Sequence, residues 1–339
     1  MDKGTLFRER VKRVHFIGVG GIGMSGIAEI LLDLGYEVSG SDLRGNDNTE
    51  RLRAKGAHIF IGHGPQNVVG SDVVVRSSAV RPENPEITNA KNLDIPVIPR
   101  AEMLAELMRV ADGVAVAGTH GKTTTTSLMA TVLAAGDLDP TVIIGGKLNA
   151  IGTNAKRGAG NLMLVEADES DRSFLFLRPM VTCVTNIDEE HMNAYRDLED
   201  LKDSFATFMS SVPFYGFNLV CSDNALLMEV AEKVHRRIIT YGISKNSHYR
   251  AVEVNLDGQV STYEVEAHGK RLGKITLKML GRHNIQNSLA TVALGMEMGM
   301  KFSTIQESLE SFMGVDRRFT IKGEPRGILV VDDYGHHPT

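Results

Sequence analysis

The sequence predicts an α/β protein built from two successive parallel-sheet domains and a small antiparallel excursion. From Val14 to about Ala111, short apolar strands alternate with helical segments, which is typical of a doubly wound parallel sheet. A second α/β region opens at Gly113 with a strand, a glycine-rich turn and a helix. From His248 to Leu280 the pattern changes to strands joined by the turn-like pairs Asp257-Gly258 and His268-Gly269, so we expect antiparallel hairpins there.

The composition is that of a globular protein with more than one domain. The 339 residues exceed a typical single core, and 42% hydrophobic with 23% charged residues is ordinary for such a chain. A net charge of −5 without a basic run argues against nucleic-acid binding. The charged N-terminus and the lack of a long apolar run predict a cytoplasmic protein without a membrane partner. Cys183 and Cys221 stand in apolar strand-like segments and are expected to be buried thiols.

The first strand, VHFI, runs into GVGGIG, which satisfies the pattern GxGxxG and predicts a Rossmann-like N-terminal domain. Gly18, Gly20 and Gly23 let backbone N–H groups and a helix N-terminus hold a pyrophosphate, and Asp42 follows the second strand. On its own the pattern suggests a dinucleotide such as NAD. A UDP-sugar would fit equally well, and a glycine-rich turn without any ligand is the structural alternative.

Polar residues at the ends of later strands are further candidates for this first site. They are His63 in GHGP, the pair Ser77 and Ser78, and Arg100 in IPR. Open α/β sheets bind ligands at the carboxyl ends of their strands. Each residue alone is more often an ordinary loop residue, but the shared edge makes the group a candidate site.

The segment AVAGTHGKTTTT, from Ala115 to Thr126, predicts a phosphate-binding P-loop in the second region. Its glycines let backbone N–H groups approach phosphate oxygens, Lys122 can reach the β- and γ-phosphates, and Thr123 can hold Mg²⁺. The expected ligand is ATP or GTP. The pattern GxxxxGK[ST] is incomplete because Val116 stands in place of its first glycine. An ordinary strand-to-helix turn is therefore the alternative.

Carboxylates follow two further strands of this region. In LMLVEADESDRSF we expect Glu166 to bind Mg²⁺, whereas neighbouring carboxylates such as Glu169 are expected to be solvated where they point away from the site. In TNIDEEHMN, His191 is either a metal ligand or only hydrogen-bonded to its acidic neighbours.

Amide side chains open the helix that follows the antiparallel strands. Asn284 and Asn287 are three residues apart, so both can face an adenine edge, although Asn284 could instead cap the helix. Arg318 in DRRF could hold phosphates or lie on a solvated face. The next helix is predicted to begin with the capping box Ser303-x-x-Gln306.

Seven motifs, in this order and from about Val14 to the end of the chain, resemble the Mur ligases of bacterial cell-wall synthesis: HFIGVGGIGMSGIAEIL, GTHGKTTTT, EADESD, TNIDEEH, GRHNIQN, DRRF and VVDDYGHHPT. The resemblance implies a Rossmann-like UDP-sugar domain over 1–107, a P-loop-type central ATPase domain over 108–322 and the start of an amino-acid-binding domain over 323–339. It also implies an ADP-forming ligase that works through an acyl phosphate. The implied substrates are UDP-N-acetylmuramate, L-alanine and ATP, with Mg²⁺ as cofactor.

The resemblance assigns roles to residues of this sequence. The implied catalytic residues are Lys122, Glu166 and His191, and the implied metal ligands are Thr123, Glu166 and His191. The implied ATP-binding residues are Gly118, Thr119, His120, Gly121, Lys122, Thr123, Thr124, Asn284, Asn287, Arg318 and Asp333. The implied UDP-sugar-binding residues are Gly18, Gly20, Gly21, Ile22, Gly23, Ser25, Asp42, His63, Ser77, Ser78, Arg100, Tyr334 and His336.

Two features depart from the family pattern. Arg172 stands in ESDRSF where relatives often carry a small residue, so we expect a cation near the acidic run. The chain ends at Thr339, before most of the third domain, so this stretch is expected to bind substrates and to ligate almost nothing. The competing functions are an NAD-dependent oxidoreductase, which leaves Lys122 and Glu166 unexplained, and a non-catalytic nucleotide-binding module.

Overall fold

A computed structural model describes residues 11–144, 155–190, 192–256, 260–315, 320–323, 325–328, 330–333 and 335. The chain forms two compact units. The first comprises Met1–Val110 with Asn154–Arg157, and the second comprises Ala111–Thr153 with Gly158–Thr339. The α/β class, the two successive sheets and the antiparallel excursion that the sequence predicts are all present.

The first unit is a five-stranded parallel sheet with its connecting helices. Its strands are β1 (Arg13–Ile17), β2 (Glu37–Asp42), β3 (His58–Ile61), β4 (Val73–Arg76) and β5 (Val97–Pro99). Its helices are α1 (Ile22–Asp33), α2 (Asp47–Ala54), α3 (Pro85–Asn92) and α4 (Arg100–Met108). The strands lie in the order β3-β2-β1-β4-β5 and every pair is parallel.

Local sequence explains where these elements begin and where a ligand would lie. β1 is buried from Val14 to Ile17, as expected for a strand covered on both faces of a parallel sheet. A capping box between Asn46 and Thr49 starts α2. The strand order reverses between β1 and β4, and the carboxyl ends of those two strands therefore form the crevice in which such sheets bind ligands.

The second unit is built on a larger mixed sheet. Its chain segments contain β6 (Asp112–Ala117), α5 (Lys122–Ala135), β7 (Thr141–Ile143), β9 (Leu162–Glu166), β10 (Val181–Val184), α6 (Leu198–Ser210), β11 (Phe217–Cys221), α7 (Ala225–Glu232), β12 (Ile238–Gly242), β13 (Tyr249–Asn255), β14 (Ser261–Ala267), β15 (Lys270–Leu277), α8 (Arg282–Glu297), α9 (Phe302–Ser311), β16 (Thr320–Gly323) and β17 (Val330–Asp332). Between β7 and β9, the short strand β8 (Ala155–Lys156) belongs to the first unit. The sheet contains the order β15-β14-β13-β12-β11-β10-β6-β9-β7, and β16 pairs only with β17 among the described residues.

The predicted antiparallel excursion extends the sheet of the second unit. β13 pairs in parallel with β12 and antiparallel with β14, which in turn pairs antiparallel with β15. The predicted turn at His268-Gly269 joins β14 to β15, and its two residues have φ values of 48° and 78°. Positive φ at both positions is what a type I′ hairpin turn requires. The other predicted turn, Asp257-Gly258, lies outside the described residues.

Both cysteines are buried and free, as the sequence predicts. Burial raises the pKa of the Cys183 thiol and of the Cys221 thiol to about 12, so neither is a reactive thiolate at neutral pH. No helix in the described part of the chain has the length and apolar character that crossing a bilayer requires.

The predicted capping box at Ser303 is wrong. The N-cap of α9 is Lys301, two residues before Ser303, and no side chain caps the helix. The Gln306 side chain instead donates a hydrogen bond of 2.8 Å to the carbonyl oxygen of Lys274 in β15. A contact with the neighbouring strand has replaced the local one.

Candidate functional site

The P-loop follows β6, and the end of the neighbouring strand β10 holds it in shape. Gly118 has a φ of +126°, and a Cβ there would overlap Thr185 Oγ1 and lie 2.9 Å from the Asn186 carbonyl oxygen. Thr185 Oγ1 and Asn186 Nδ2 both donate to the carbonyl of His120, at 2.6 and 3.0 Å. Thr185 and Asn186 are not among the residues predicted from the sequence. They supply an external support for a loop whose motif is incomplete at Val116.

The ammonium group of Lys122 makes three hydrogen bonds at this loop. It donates to the carbonyl oxygens of Gly118 and Thr119, at 2.7 and 3.3 Å, and to Glu169 Oε1 at 2.8 Å. An ammonium carries three protons, and these bonds use all of them. A bound phosphate must therefore replace at least one of these acceptors.

Glu169 is a buried partner of the loop and not a solvated carboxylate. Only 2% of the residue is exposed. The Tyr195 hydroxyl and the Arg172 backbone N–H both donate to its backbone carbonyl, which fixes the residue in place. Burial raises the pKa of Glu169, and the charge of Lys122 opposes that rise. Its second oxygen, Oε2, has no hydrogen-bond partner among the described residues.

Glu166 and Thr123 meet across the sheet as a pair of oxygen donors. β9 lies beside β6 in parallel, with Glu166 opposite Val116, so the carboxylate ends its strand next to the P-loop. Thr123 Oγ1 lies 3.0 and 3.1 Å from the two carboxylate oxygens of Glu166. A hydroxyl and a carboxylate are hard oxygen ligands of the kind that Mg²⁺ prefers. In the described part of the chain no group of three or more His, Cys, Asp or Glu side chains could hold a metal, so phosphate or water would have to complete the shell.

His120 bridges the loop to two acidic side chains that follow β10. Its Nε2 lies 3.0 Å from Asp188 Oδ2, and its Nδ1 lies 3.6 Å from Glu190 Oε2. Thr119 also contacts this segment, because its hydroxyl accepts the Asp188 N–H at 2.9 Å. His191, the predicted metal ligand in the same segment, lies outside the described residues.

Arg172 does not leave a free cation beside the acidic run. Its guanidinium lies 2.8 Å from Asp200 Oδ2 and 3.0 Å from Ser204 Oγ, both on α6, and packs over the Tyr195 ring. The hydrogen bond from Arg172 is the main reason that the pKa of Asp200 lies well below its ordinary value. The charge of Arg172 is therefore largely neutralised by Asp200.

The two predicted adenine-side amides lie at the start of α8, against the P-loop. Gly121, which precedes α5, has a φ of +83°, and a Cβ there would lie 2.8 Å from Asn287 Oδ1. Asn287 Nδ2 is 3.4 Å from Asn284 Oδ1, and Asn284 Nδ2 donates to the Leu280 carbonyl at 2.7 Å. Asn284 therefore does not cap α8, whose N-cap is Gly281.

The remaining residues predicted for ATP differ in how far they are described. Thr124 is buried in the first turn of α5. Asp333 follows β17 and is exposed. Burial lowers the pKa of His283 at the start of α8, and the charge of Asp333 opposes that decrease. Arg318, Tyr334 and His336 lie outside the described residues.

In the first unit, the end of β2 holds the glycine-rich loop. The carbonyl oxygen of Ser41 accepts the N–H groups of Gly18 and Val19, at 2.8 and 3.0 Å. Asp42 Oδ2 accepts the N–H of Gly20 at 2.8 Å. The predicted ligand carboxylate therefore supports the loop itself. Neither contact is visible in the GxGxxG pattern.

The start of α1 is uncapped and lies beside an arginine. Gly21 is its N-cap, no side chain caps the helix and its first turn holds no acidic residue. A Cβ on Gly23 would lie 3.0 Å from Arg100 Nη1, so the guanidinium stands beside the first turn. Helix N–H groups together with an arginine favour a phosphate-bearing ligand. The structure thus brings Arg100 to the glycine-rich loop, as predicted.

Other residues predicted for this edge fall into two groups. Ile22 is 45% exposed and Ser78 is exposed, so both are accessible. Ser77 packs against the loop, since its Cβ would be 3.2 Å from a Cβ on Gly18. Ser25 is fully buried and its hydroxyl donates to the Ile22 carbonyl at 3.0 Å, so it serves the helix and not a ligand in this structure. His63 follows β3 and lies 3.0 Å from the Ser41 hydroxyl through Nδ1.

Comparison with known proteins gives a consistent result over nearly the whole chain. Residues 13–111 match the catalytic domain of the Mur ligase family, and residues 116–295 match the Mur ligase middle domain. A UDP-N-acetylmuramate–L-alanine ligase from Geobacter sp. (strain M21) is 54% identical over 97% of this chain and 72% of its own length. One from Myxococcus xanthus is 54% identical over 99% of this chain and 71% of its own.

This chain belongs to the Mur ligase family. A solved UDP-N-acetylmuramate-alanine ligase from Thermotoga maritima superposes with a TM-score of 0.83 at 32% identity, covering 96% of this chain and 75% of that one. The Mur ligase described here is therefore an enzyme of peptidoglycan-precursor synthesis that uses a nucleotide. The oxidoreductase and the non-catalytic module find no support among these relatives.

Proposed function

We propose that this Mur ligase joins L-alanine to the lactyl carboxylate of UDP-N-acetylmuramate, with conversion of ATP to ADP and phosphate, in the cytoplasm. The observation that carries the proposal is the meeting of Lys122, Thr123 and Glu166 at the P-loop, in a chain 54% identical to ligases of that name. One anion must attack another in this reaction. Cationic and backbone groups at the phosphate are what make that approach tolerable.

The second unit would bind the nucleotide and stabilise the transferred phosphoryl group. Lys122 would exchange one of its present acceptors for a phosphate oxygen. The N–H groups at the start of α5 would bind the remaining phosphate oxygens. Thr123 and Glu166 would hold Mg²⁺, which when bound neutralises charge on the phosphate oxygens. Asn287, beside Gly121, and Asn284, which contacts Asn287, would face the adenine side.

The reaction then needs two bond exchanges. A lactyl carboxylate oxygen attacks the γ-phosphorus, and the bond from that phosphorus to the bridging oxygen breaks to leave ADP. The amine of L-alanine then attacks the acyl carbon, loses a proton and expels phosphate, which forms the amide. The part of this chain in both steps is to position anions and to compensate their charge.

The first unit would bind the UDP-sugar. We assign this role to residues 1–107 and the ATP-binding role to residues 108–322. The open start of α1 and Arg100 suit the diphosphate, and the glycine-rich loop allows it to approach the backbone. A nicotinamide dinucleotide would use the same groups, and a comparison of the two Kd values distinguishes the ligands.

Calorimetry on the chain tests the proposal at both sites. We expect UDP-N-acetylmuramate to bind more tightly than NAD⁺, and Mg-ATP to bind independently of either. In the complete protein, release of ADP should require both UDP-N-acetylmuramate and L-alanine and should match the amount of ligated product. Tighter binding of NAD⁺, or ADP release that ignores either cosubstrate, would contradict the proposal.

A second prediction concerns Glu169, the carboxylate that pairs with Lys122. We expect Glu169→Gln to tighten Mg-ATP binding about tenfold, because a phosphate would no longer have to displace a carboxylate from the ammonium. Tenfold equals about 1.4 kcal/mol, which is close to the lower end of the range for a hydrogen bond to a charged group. Calorimetry measures the Kd, with Glu232→Gln at an exposed carboxylate of α7 as the control. Weaker binding by a folded variant would mean that Glu169 assists the nucleotide.

A further inference from the structure

The first unit encloses a carboxylate for which packing gives no reason. Glu86, in the first turn of α3, is 0% exposed. It accepts hydrogen bonds from Ser41 Oγ at 2.6 Å and from Asn67 Nδ2 at 2.5 Å, and His63 Nδ1 lies 3.2 Å from its Oε2. Burying a carboxylate is costly even when it is paired, and an apolar residue would serve the core better. Such a group suggests a role in positioning its partners.

The hydrogen-bond inventory fixes the proton on His63. Ser41 has one hydroxyl proton, and it goes to Glu86, since an ionised carboxylate only accepts. Nδ1 of His63 therefore faces two acceptors, Ser41 Oγ at 3.0 Å and Glu86 Oε2 at 3.2 Å, and must carry a proton itself. Burial opposes ionisation of Glu86, but the interactions with His15, Ser41 and Asn67 outweigh this and lower its pKa. Nε2 of His63 is the ring nitrogen left for a ligand.

The same network reaches the glycine-rich loop through Ser41. Its hydroxyl stands between His63 and Glu86, and its carbonyl accepts the N–H groups of Gly18 and Val19. His63 follows β3, which lies two strands from β1 in the sheet. Neighbouring strands are about 4.8 Å apart, so His63 lies about 10 Å along the edge from the loop. That distance is comparable to the separation of a nucleoside from the far side of its diphosphate.

We propose that Glu86 is a positioning residue of the sugar-nucleotide site, which holds His63 so that Nε2 meets the nucleoside part of a ligand whose diphosphate lies on the glycine-rich loop. The inference rests on the proposed function of the first unit. Glu86 itself touches no ligand. It acts through His63.

A double-mutant cycle tests the connection between the two residues. With UDP as the titrant, we expect Glu86→Gln and His63→Ala each to raise the Kd at least tenfold, and the double variant to be no more than twofold weaker than His63→Ala alone. The Kd of Mg-ATP should stay within twofold throughout. Glu83→Gln, at an exposed carboxylate just before α3, is the matched control. Multiplicative losses in the double variant would show that Glu86 does not act through His63, and an unchanged Kd in either single variant would overturn the proposal.

A ligand-free measurement separates this inference from the proposed function. In ¹⁵N spectra of the histidine rings at pH 9, we expect His63 of the parent protein to be the Nδ1–H tautomer and Glu86→Gln to lose that preference. Ser41→Ala, which leaves Glu86 Oε2 as the acceptor, should keep that preference, and Glu86→Ala serves if Glu86→Gln does not fold. A tautomer that stays fixed in the Glu86 variants overturns the positioning role. A fixed tautomer in a protein that binds NAD⁺ and no UDP would leave the positioning role standing and refute the proposed ligand.

Discussion

Replacing Lys122 by alanine is expected to lower turnover in the complete protein by about 10²-fold or more. The ammonium is held at the P-loop by two carbonyl oxygens and Glu169, where it can compensate the charge of a transferred phosphoryl group. Loss of one such electrostatic group typically costs this much in rate. Glu166→Ala should have a comparable effect, because it removes the carboxylate that faces Thr123.

The measurement is ADP release with UDP-N-acetylmuramate, L-alanine and saturating Mg-ATP. Thermal unfolding of each variant verifies that the fold is retained. Lys245→Ala and Glu232→Ala, which change exposed side chains of the same unit, are the controls and should keep normal turnover. Near-normal turnover in Lys122→Ala or in Glu166→Ala would remove that residue from the catalytic set.

Gly118→Val is expected to abolish binding of Mg-ATP. At a φ of +126° an L-residue is strained, and a side chain there would collide with Thr185 Oγ1 and the Asn186 backbone. The loop can relieve the collision only by leaving β10, and the N–H groups that cradle a phosphate would then no longer converge. Binding of the UDP-sugar should remain, since Gly118 belongs to the other compact unit.

A second glycine separates backbone strain from collision. Gly299, after α8, has a φ of +79°, and a Cβ at this position would have no neighbouring atom within 4 Å. Gly299→Ala should therefore cost some stability and leave the Kd of Mg-ATP unchanged. If Gly118→Val still binds Mg-ATP within a few-fold of the parent protein, the brace formed by Thr185 and Asn186 is not needed for the cradle.

Predictability from the sequence differed between the loops and their surroundings. Strand, glycine-rich turn and helix are contiguous, so GVGGIG and GTHGKT were readable from a dozen residues each. Lys122 and Glu166 followed because each stands directly beside such a pattern or at a strand end. The helix after Gly299 was predicted, but its capping box at Ser303 was wrong, and Gln306 contacts β15, which is distant in the sequence.

Partners of the site residues were the harder part. Asn186 supports His120 from 66 positions away, and Lys122 meets Glu169 at a separation of 47. Such pairs depend on which strands lie side by side and in what register. The sequence likewise makes Asp42 a candidate ligand-binding residue, whereas in the structure its carboxylate accepts the N–H of Gly20.

The sequence by itself determined the α/β class, the two phosphate-binding turns and the residues that carry their charge, because local spacing and residue type encode these. Only the tertiary structure decided which partners three carboxylates contact. Glu169 pairs with Lys122, Asp200 pairs with Arg172, and Glu86 contacts His63. Each of these depends on a carboxylate being buried beside one particular donor. Burial removes the water that would otherwise solvate every such group alike, and the choice of partner is then set by the packing of the sheet and its helices.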